Sequence, residues 1–403
     1  MSFQQGLSGL NAAAKNLDVI GNNVANANTI GAKGSRAEFA AVYANSLAGA
    51  SGSTAGLGVS VTGIAQQFIQ GDLSTTNNPL DMGINGQGFF RLNRNGATEY
   101  SRNGQFQIDK TGYIQNAQGA RLTGFLPDPS GNTSVGVPGD IRLNMADIAP
   151  SATTKASIQV NLDAREAVPT APFSLSDAST YKGATSITAY DSLGSDHSLS
   201  MYFRKSGSNA WDVYAAADGA LVQPTPIGSM TFGTNGLLTS SGQINIAIPV
   251  GAAAGGTQNA VIDFSKVTQY GSVFGVNELT QDGFATGRLA GFAVGSSGEI
   301  LGRYSNGKTK SQGQVALANF INVQGLSPQG GNAWTETSTS GQPVIGAPGS
   351  GNLGAIQSGA LEQSSVDMTA ELVNMITAQR IYQANAQTIK TQDQVMQTLV
   401  NLR

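Results

Sequence analysis

Cysteine is absent from all 403 residues, which excludes a disulfide framework, a thiolate metal site and a cysteine nucleophile. Histidine occurs once, at His197, so a histidine-built metal cluster is excluded too. Charge is scarce: Asp, Glu, Lys and Arg make up 12% of the chain, about half the roughly 25% usual in soluble domains. The 22 basic and 25 acidic residues leave a net charge of −3 with no basic cluster. Neither nucleic acid nor an anionic membrane surface is therefore an implied partner. No run reaches the roughly 18 apolar residues of a spanning helix, so no membrane insertion is expected. Residues Met1 to Gly21 lack the basic start and compact apolar stretch of a Sec-type signal, so any export is expected to leave the N-terminus uncleaved.

What the chain has instead is glycine, 52 residues of it, and a heptad code at both ends. From the front, Phe3, Leu7, Leu10, Ala14, Leu17, Gly21 and Val24 recur in alternating steps of four and three. Towards the back, Leu372, Met375, Gln379, Tyr382, Ala386, Ile389, Asp393, Met396 and Val400 do the same, with Ile376 and Leu399 beside them. A step averaging 3.5 keeps one seam facing a partner helix. Such narrow seams do not stabilise an isolated helix, so each end must find another helix, as a self-associating chain would require. Gln379 and Asp393 are either tolerated polar positions or devices that set register among packed copies.

Helices are expected over about Ser2 to Asn26 and Val366 to Leu402, roughly 37 and 55 Å long at 1.5 Å per residue. Residues 31–70 and 356–365 read as a connector, with an apolar piece at Phe39, Val42 and Tyr43, a loose run from Ala48 to Gly58, and strand-like Val59–Ile64. From Gly71 the pattern becomes short alternating runs between Asn-Gly and Gly turns, a hairpin signal. That cadence returns after about residue 281, so 71–147 and 281–355 are expected to form one β domain. Residues 148–280 read as a second β domain inserted into it. The fold class expected is mainly β with terminal α-helices: nested all-β domains inserted between N- and C-terminal helices that together form a coiled-coil domain, residues 1–30 plus 366–403.

Candidate chemistry is thin. Gly349-Ser350-Gly351-Asn352-Leu353-Gly354 matches a dinucleotide fingerprint but lacks the strand–helix context, and reads as a linker. Asp191, Asp196 and His197 surround a turn and suggest a small acid/base or metal cluster, against which turn chemistry and a solvated loop histidine explain them without further assumptions. Asn132-Thr133-Ser134 is a chance sequon marking an exposed loop. No catalytic residue, cofactor or metal ligand is expected.

Three ordered blocks carry a resemblance. Asn16 to Lys33, with Asn22, Asn23, Ala25, Asn26, Thr29, Gly31 and Lys33, resembles the N-terminal signature of the bacterial flagellar rod and hook protein family. Gly359, Leu361, Glu362, Val366 and Asp367 followed by Glu371 to Arg403 are similar to its C-terminal signature, and Gly86 to Gly124 to its shared β domain. Ala32 stands where the family usually has an aromatic, and Ser365 where Asn is common. The large insertion at 148–280 resembles the hook branch more than the distal rod branch. The resemblance implies a structural, non-enzymatic subunit that polymerises with itself into a short curved hollow tube, a universal joint passing torque from rod to filament. It further implies export through the flagellar type III apparatus to the cell exterior, and as partners the distal rod, hook cap and hook–filament junction proteins. A distal rod subunit is the alternative within the family, and a secreted β-rich adhesin or capping protein that oligomerises through its terminal helices is the alternative outside it.

Overall fold

The computed structural model describes residues 2–42, 58–128, 133 and 136–401. Two helices bracket the chain, α1 at Ser2–Ala25 and α2 at Met368–Asn401, and nearly everything regular between them is β. That is the expected class. Helix α1 stops where Asn26 and Thr29 fold the chain into turns and Gly31 takes a left-handed φ of 69°. Helix α2 begins two residues later than expected because Asp367 caps it. Its carboxylate accepts from the amides of Thr369 (2.8 Å) and Ala370 (3.1 Å), two donors with no helical partner of their own.

After α1 the connector forms an antiparallel hairpin, β1 (Ser35–Val42) with β2 (Gly58–Gln66), bulged between Glu38 and Phe39. Phe39 and Val42 thus belong to β1 and Val59–Ile64 to β2, whereas Tyr43 and most of the loose run lie outside the described residues. The hairpin lies along α1. Asn23 Oδ1 accepts from the Ser35 amide at 2.8 Å near one end, and Ser8 Oγ accepts from the Val59 amide at 3.3 Å near the other.

The chain divides into two compact units, 1–145 with 291–303 and 309–403, and 146–290 with 304–308. In the first, strands from both flanks of the insertion share one sheet, in the order Glu299–Tyr304, Thr309–Val315, Arg121–Phe125, Phe89–Arg94, Ala97–Ser101, Ala333–Thr335, Ser327–Gly330. Its core is aliphatic around Phe90, Leu92, Ile114, Leu122 and Leu317. A smaller aromatic cluster gathers Phe89, Tyr100, Phe320 and Trp334 in edge-on contacts, Tyr100 and Phe320 at 4.8 Å. The returning chain then re-pairs with the outgoing one, Ala355–Ser358 on Met82–Asn85 and Ala360–Glu362 on Leu73–Thr75.

The fingerprint-like loop belongs to this unit and is not a linker. Leu353 is buried, the Gly354 amide donates to the Gln87 carbonyl at 2.7 Å, and the Gly349 amide donates to Gly354.

The second unit holds two five-stranded sheets over a core that includes Met201, Phe203, Trp211, Ile246 and Phe264. Strand Gln243–Pro249 alternates exposed and buried residues throughout, the period-two signature of a half-buried strand. The unit extends to 290 because Ile148 bridges Gly287 and Ser151 bridges Phe284. His197 is not a loop residue: it lies on strand Asp196–Gly207, with Nδ1 2.7 Å from Asp218 and Nε2 3.6 Å from Asp191. The Asp218 hydrogen bond raises the imidazole above its usual pKa against the pull of burial.

Candidate functional site

The two ends of the chain find each other. Helices α1 and α2 pack antiparallel, in a register running from Asn23 beside Glu371 (3.2 Å) to Gly6 over Ile389. Close approach depends on small residues on α1. A Cβ at Gly9 would lie 2.7 Å from Asn385 Oδ1, and one at Gly6 3.1 Å from the Ile389 side chain. Ala12, Ala13, Val19, Ile20 and Asn23 are buried on the same side of α1.

The expected seam points elsewhere. Phe3 and Leu7 remain 49% and 43% exposed, and Leu10, Ala14, Leu17 and Val24 are half-buried. This stripe lies roughly 110° round the helix from the face that meets α2, at 3.6 residues per turn. On α2, Met375, Ala386 and Ile389 are partly covered, whereas Leu372, Ile376, Tyr382 and Met396 are exposed. The Leu399 side chain lies outside the described residues. Gln379 and Asp393 also face solvent, Asp393 accepting from Gln397 one turn on. The pair inside one chain therefore uses the small face of α1 and leaves Phe3 and Leu7 of the bulky stripe exposed.

Beneath the helices, all three sequence blocks converge on one carboxylate. Glu362 is fully buried. Its Oε1 accepts from Lys33 Nζ at 2.6 Å and from the Gly71 amide at 3.0 Å, and its Oε2 accepts from Arg102 Nη1 at 3.0 Å. Lys33 Nζ also donates to the Ile69 carbonyl at 2.6 Å, and Arg102 Nη2 to that of Gly86 at 2.8 Å. Burial pulls the Lys33 ammonium below the ordinary lysine range, with the Glu362 carboxylate working against that pull.

Gly31 is required here. Besides its left-handed φ, a Cβ would come within 2.6 Å of the Asn103 nitrogen, and its amide donates to the Glu362 carbonyl at 2.8 Å. Gly359, at φ 67°, makes the turn between the two re-paired strands. Leu361 is buried beside Glu362, and Val366 meets Gly34. Asn23 completes the clamp by bonding both main-chain groups of Ser35, donating at 2.7 Å and accepting at 2.8 Å. Asn26 folds back on Asn22, and Thr29 Oγ1 donates to the Asn26 carbonyl at 2.9 Å, which closes the turn. Ala25 is exposed at the helix end.

Two things escaped sequence reasoning. The contact glycines Gly6 and Gly9 form a second heptad run with Ala13, Asn16, Ile20 and Asn23, hidden because its residues are small. Arg102 gave no sign that its partner lies 260 residues away. Among the described residues, no three His, Asp or Glu side chains gather as a metal-holding group.

Four sequence-family models match the chain in order: Flagella basal body rod protein at 3–33, Flagellar hook protein FlgE/F/G D1 domain at 83–164, Flagellar basal body protein FlaE D2 domain at 161–284, and Flagellar basal body rod FlgEFG protein C-terminal at 357–402. They describe the class, proteins of the flagellar rod and hook. Among full-length relatives, the flagellar hook protein FlgE of Salmonella typhimurium is 44% identical and that of Escherichia coli K12 42%, each over 100% of both chains. The FlgE of Borreliella burgdorferi is 32% identical over 100% of this chain and 99% of its own. The crystal structure of Helicobacter pylori flagellar hook protein FlgE2 shares the fold at a TM-score of 0.54 and 15% identity, covering 72% of this chain and 100% of that one. The chain belongs to the flagellar hook protein family.

Proposed function

We propose that this chain is the structural, non-enzymatic subunit of a flagellar hook, polymerising into a short curved tube that passes torque from rod to filament. The observation that carries the reading is the division of labour on α1. Its small face is consumed by α2 of the same chain, while Phe3 and Leu7 of its bulky stripe stay exposed for neighbours. Terminal helices of adjacent subunits form the inner wall, residues 1–30 with 366–403. The β domain of 71–147 with 281–355 and the outer one of 148–280 build the layers around it.

The Glu362 node makes mechanical sense in such a subunit. It ties the helix exit, the connector and the β domain by charge-assisted bonds in a buried setting, so force on the helices reaches the outer layers. The charge-free stretch 219–262 of the outer domain suits contacts that slide as the tube bends, one side lengthening as the other shortens. Export uses the flagellar type III route without cleavage, and the distal rod, hook cap and hook–filament junction proteins adjoin the polymer. Electron microscopy of the purified chain under polymerising conditions tests this. Open tubes are expected, and closed trimers or other small rings would overturn it.

A further inference from the structure

We infer that a groove on the helix pair receives the overhanging end of α2 from a second copy of this chain; the inference rests on the polymerisation proposed above and assigns one of its contacts. The groove has a volume of about 350 Å³. Its floor is Gly9, Ala12 and Ala13 of α1, with Phe39 and Val59 of the hairpin on one side and Ile381 of α2 on the other. It exists because the floor residues are too small to fill the space between hairpin and α2. A largely apolar groove of this kind, with Asn16 and Asn385 as its polar lining, gains from covering by an aliphatic side chain.

The same helix pair supplies the complement. The antiparallel register puts Gly6 over Ile389, so α1 is exhausted near residue 392. The rest of α2, about nine residues or roughly 13 Å, projects past it with no partner helix among the described residues. That overhang presents Val395, Met396 and Val400, which are 47%, 55% and 70% exposed. Asp393 at its base is the one ionisable side chain between residues 393 and 401.

A knob at one place and a groove at another on the same surface make a heterologous contact, which builds an open helical polymer wherever its rotation does not close a ring. On α2 the knob and the groove-lining Ile381 lie some 16 residues apart, so a copy displaced by about 25 Å along the helix axis seats one in the other. The open stripe of Phe3 and Leu7 is a separate surface, free to serve other neighbours.

The cysteine-free chain allows a direct test. The variant Phe39→Cys/Val400→Cys is polymerised and then oxidised. Intermolecular disulfide ladders are expected in the polymer and none in the dilute monomer, and a mixture of the two single variants should also cross-link once co-polymerised. Polymers of normal morphology without cross-links overturn the seat while leaving the assembly reading intact. Failure of the unmodified chain to polymerise overturns both. Independently, Val400→Arg should raise the critical concentration at least tenfold, and an unchanged value counts against the seat.

Discussion

Replacing Glu362 by glutamine isolates the node. The change keeps the side chain's shape but removes its charge, leaving Lys33 and Arg102 buried with no anion between them. Breaking a buried pair from one side costs about 3–5 kcal/mol, because the remaining ions keep their desolvation penalty. Against a typical stability of 5–15 kcal/mol this is a large share. The chain has two tryptophans, Trp211 in the second unit and Trp334 in the unit that holds the node. In a Trp211→Phe background, Trp334 fluorescence during urea unfolding therefore reports on the relevant unit alone. Lys33→Met should cost less than Glu362→Gln, since Glu362 then keeps both Arg102 and the Gly71 amide.

The pH dependence has a definite sign. Without Glu362, burial acts on Lys33 with its main opponent gone, so the folded state sheds this proton more readily than the unfolded one. Stability of Glu362→Gln should then climb as pH rises towards the ordinary lysine value near 10.4. A Glu362→Gln loss under about 1 kcal/mol, or equal losses for the two variants, would refute the charge argument.

Gly9→Val places a branched side chain against Asn385, an overpacking of about 1–3 kcal/mol that should speed amide exchange in α1 at least several-fold by mass spectrometry. Leu7→Asp should leave the soluble chain as stable as before and abolish polymer, whereas Ile389→Asp should damage both; turbidity and thermal melting separate the cases. In the second unit, the stability from His197 is fully present below its ordinary value near 6.5 and fades as pH rises through its raised folded value. The contribution of Asp218, held low chiefly by His197, is present above about 4 and fades in acid. His197→Gln should therefore flatten the melting-temperature profile on the neutral side, and an unchanged profile would remove the pair from the account. Deleting 146–290 should leave a chain that still folds its flanks and still polymerises, with tube curvature altered in micrographs; loss of structure in 71–145 and 309–355 would show the segment to be integral.

Local pattern alone determined a good deal. Heptads at both ends called for two helices in search of partners, and Asn95-Gly96 with its neighbours marked the hairpin of Phe89–Arg94 with Ala97–Ser101. The family blocks were legible because their residues sit close together in sequence. What the pattern left open was who meets whom. Two heptad runs coexist on α1, one bulky and one small. Periodicity advertises only that a face is to be covered, and the bulky Phe3, Leu7 and Leu10 advertise it most, while the chain's own α2 takes Gly6, Gly9 and Ala13, the face that lets two backbones come closest. The node was hidden for a related reason: Lys33 and Glu362 are 329 residues apart, and each alone reads as an ordinary surface charge. Only the re-pairing of the outgoing and returning strands brings them together inside the protein. There, with water excluded, a carboxylate between two cations becomes a joint.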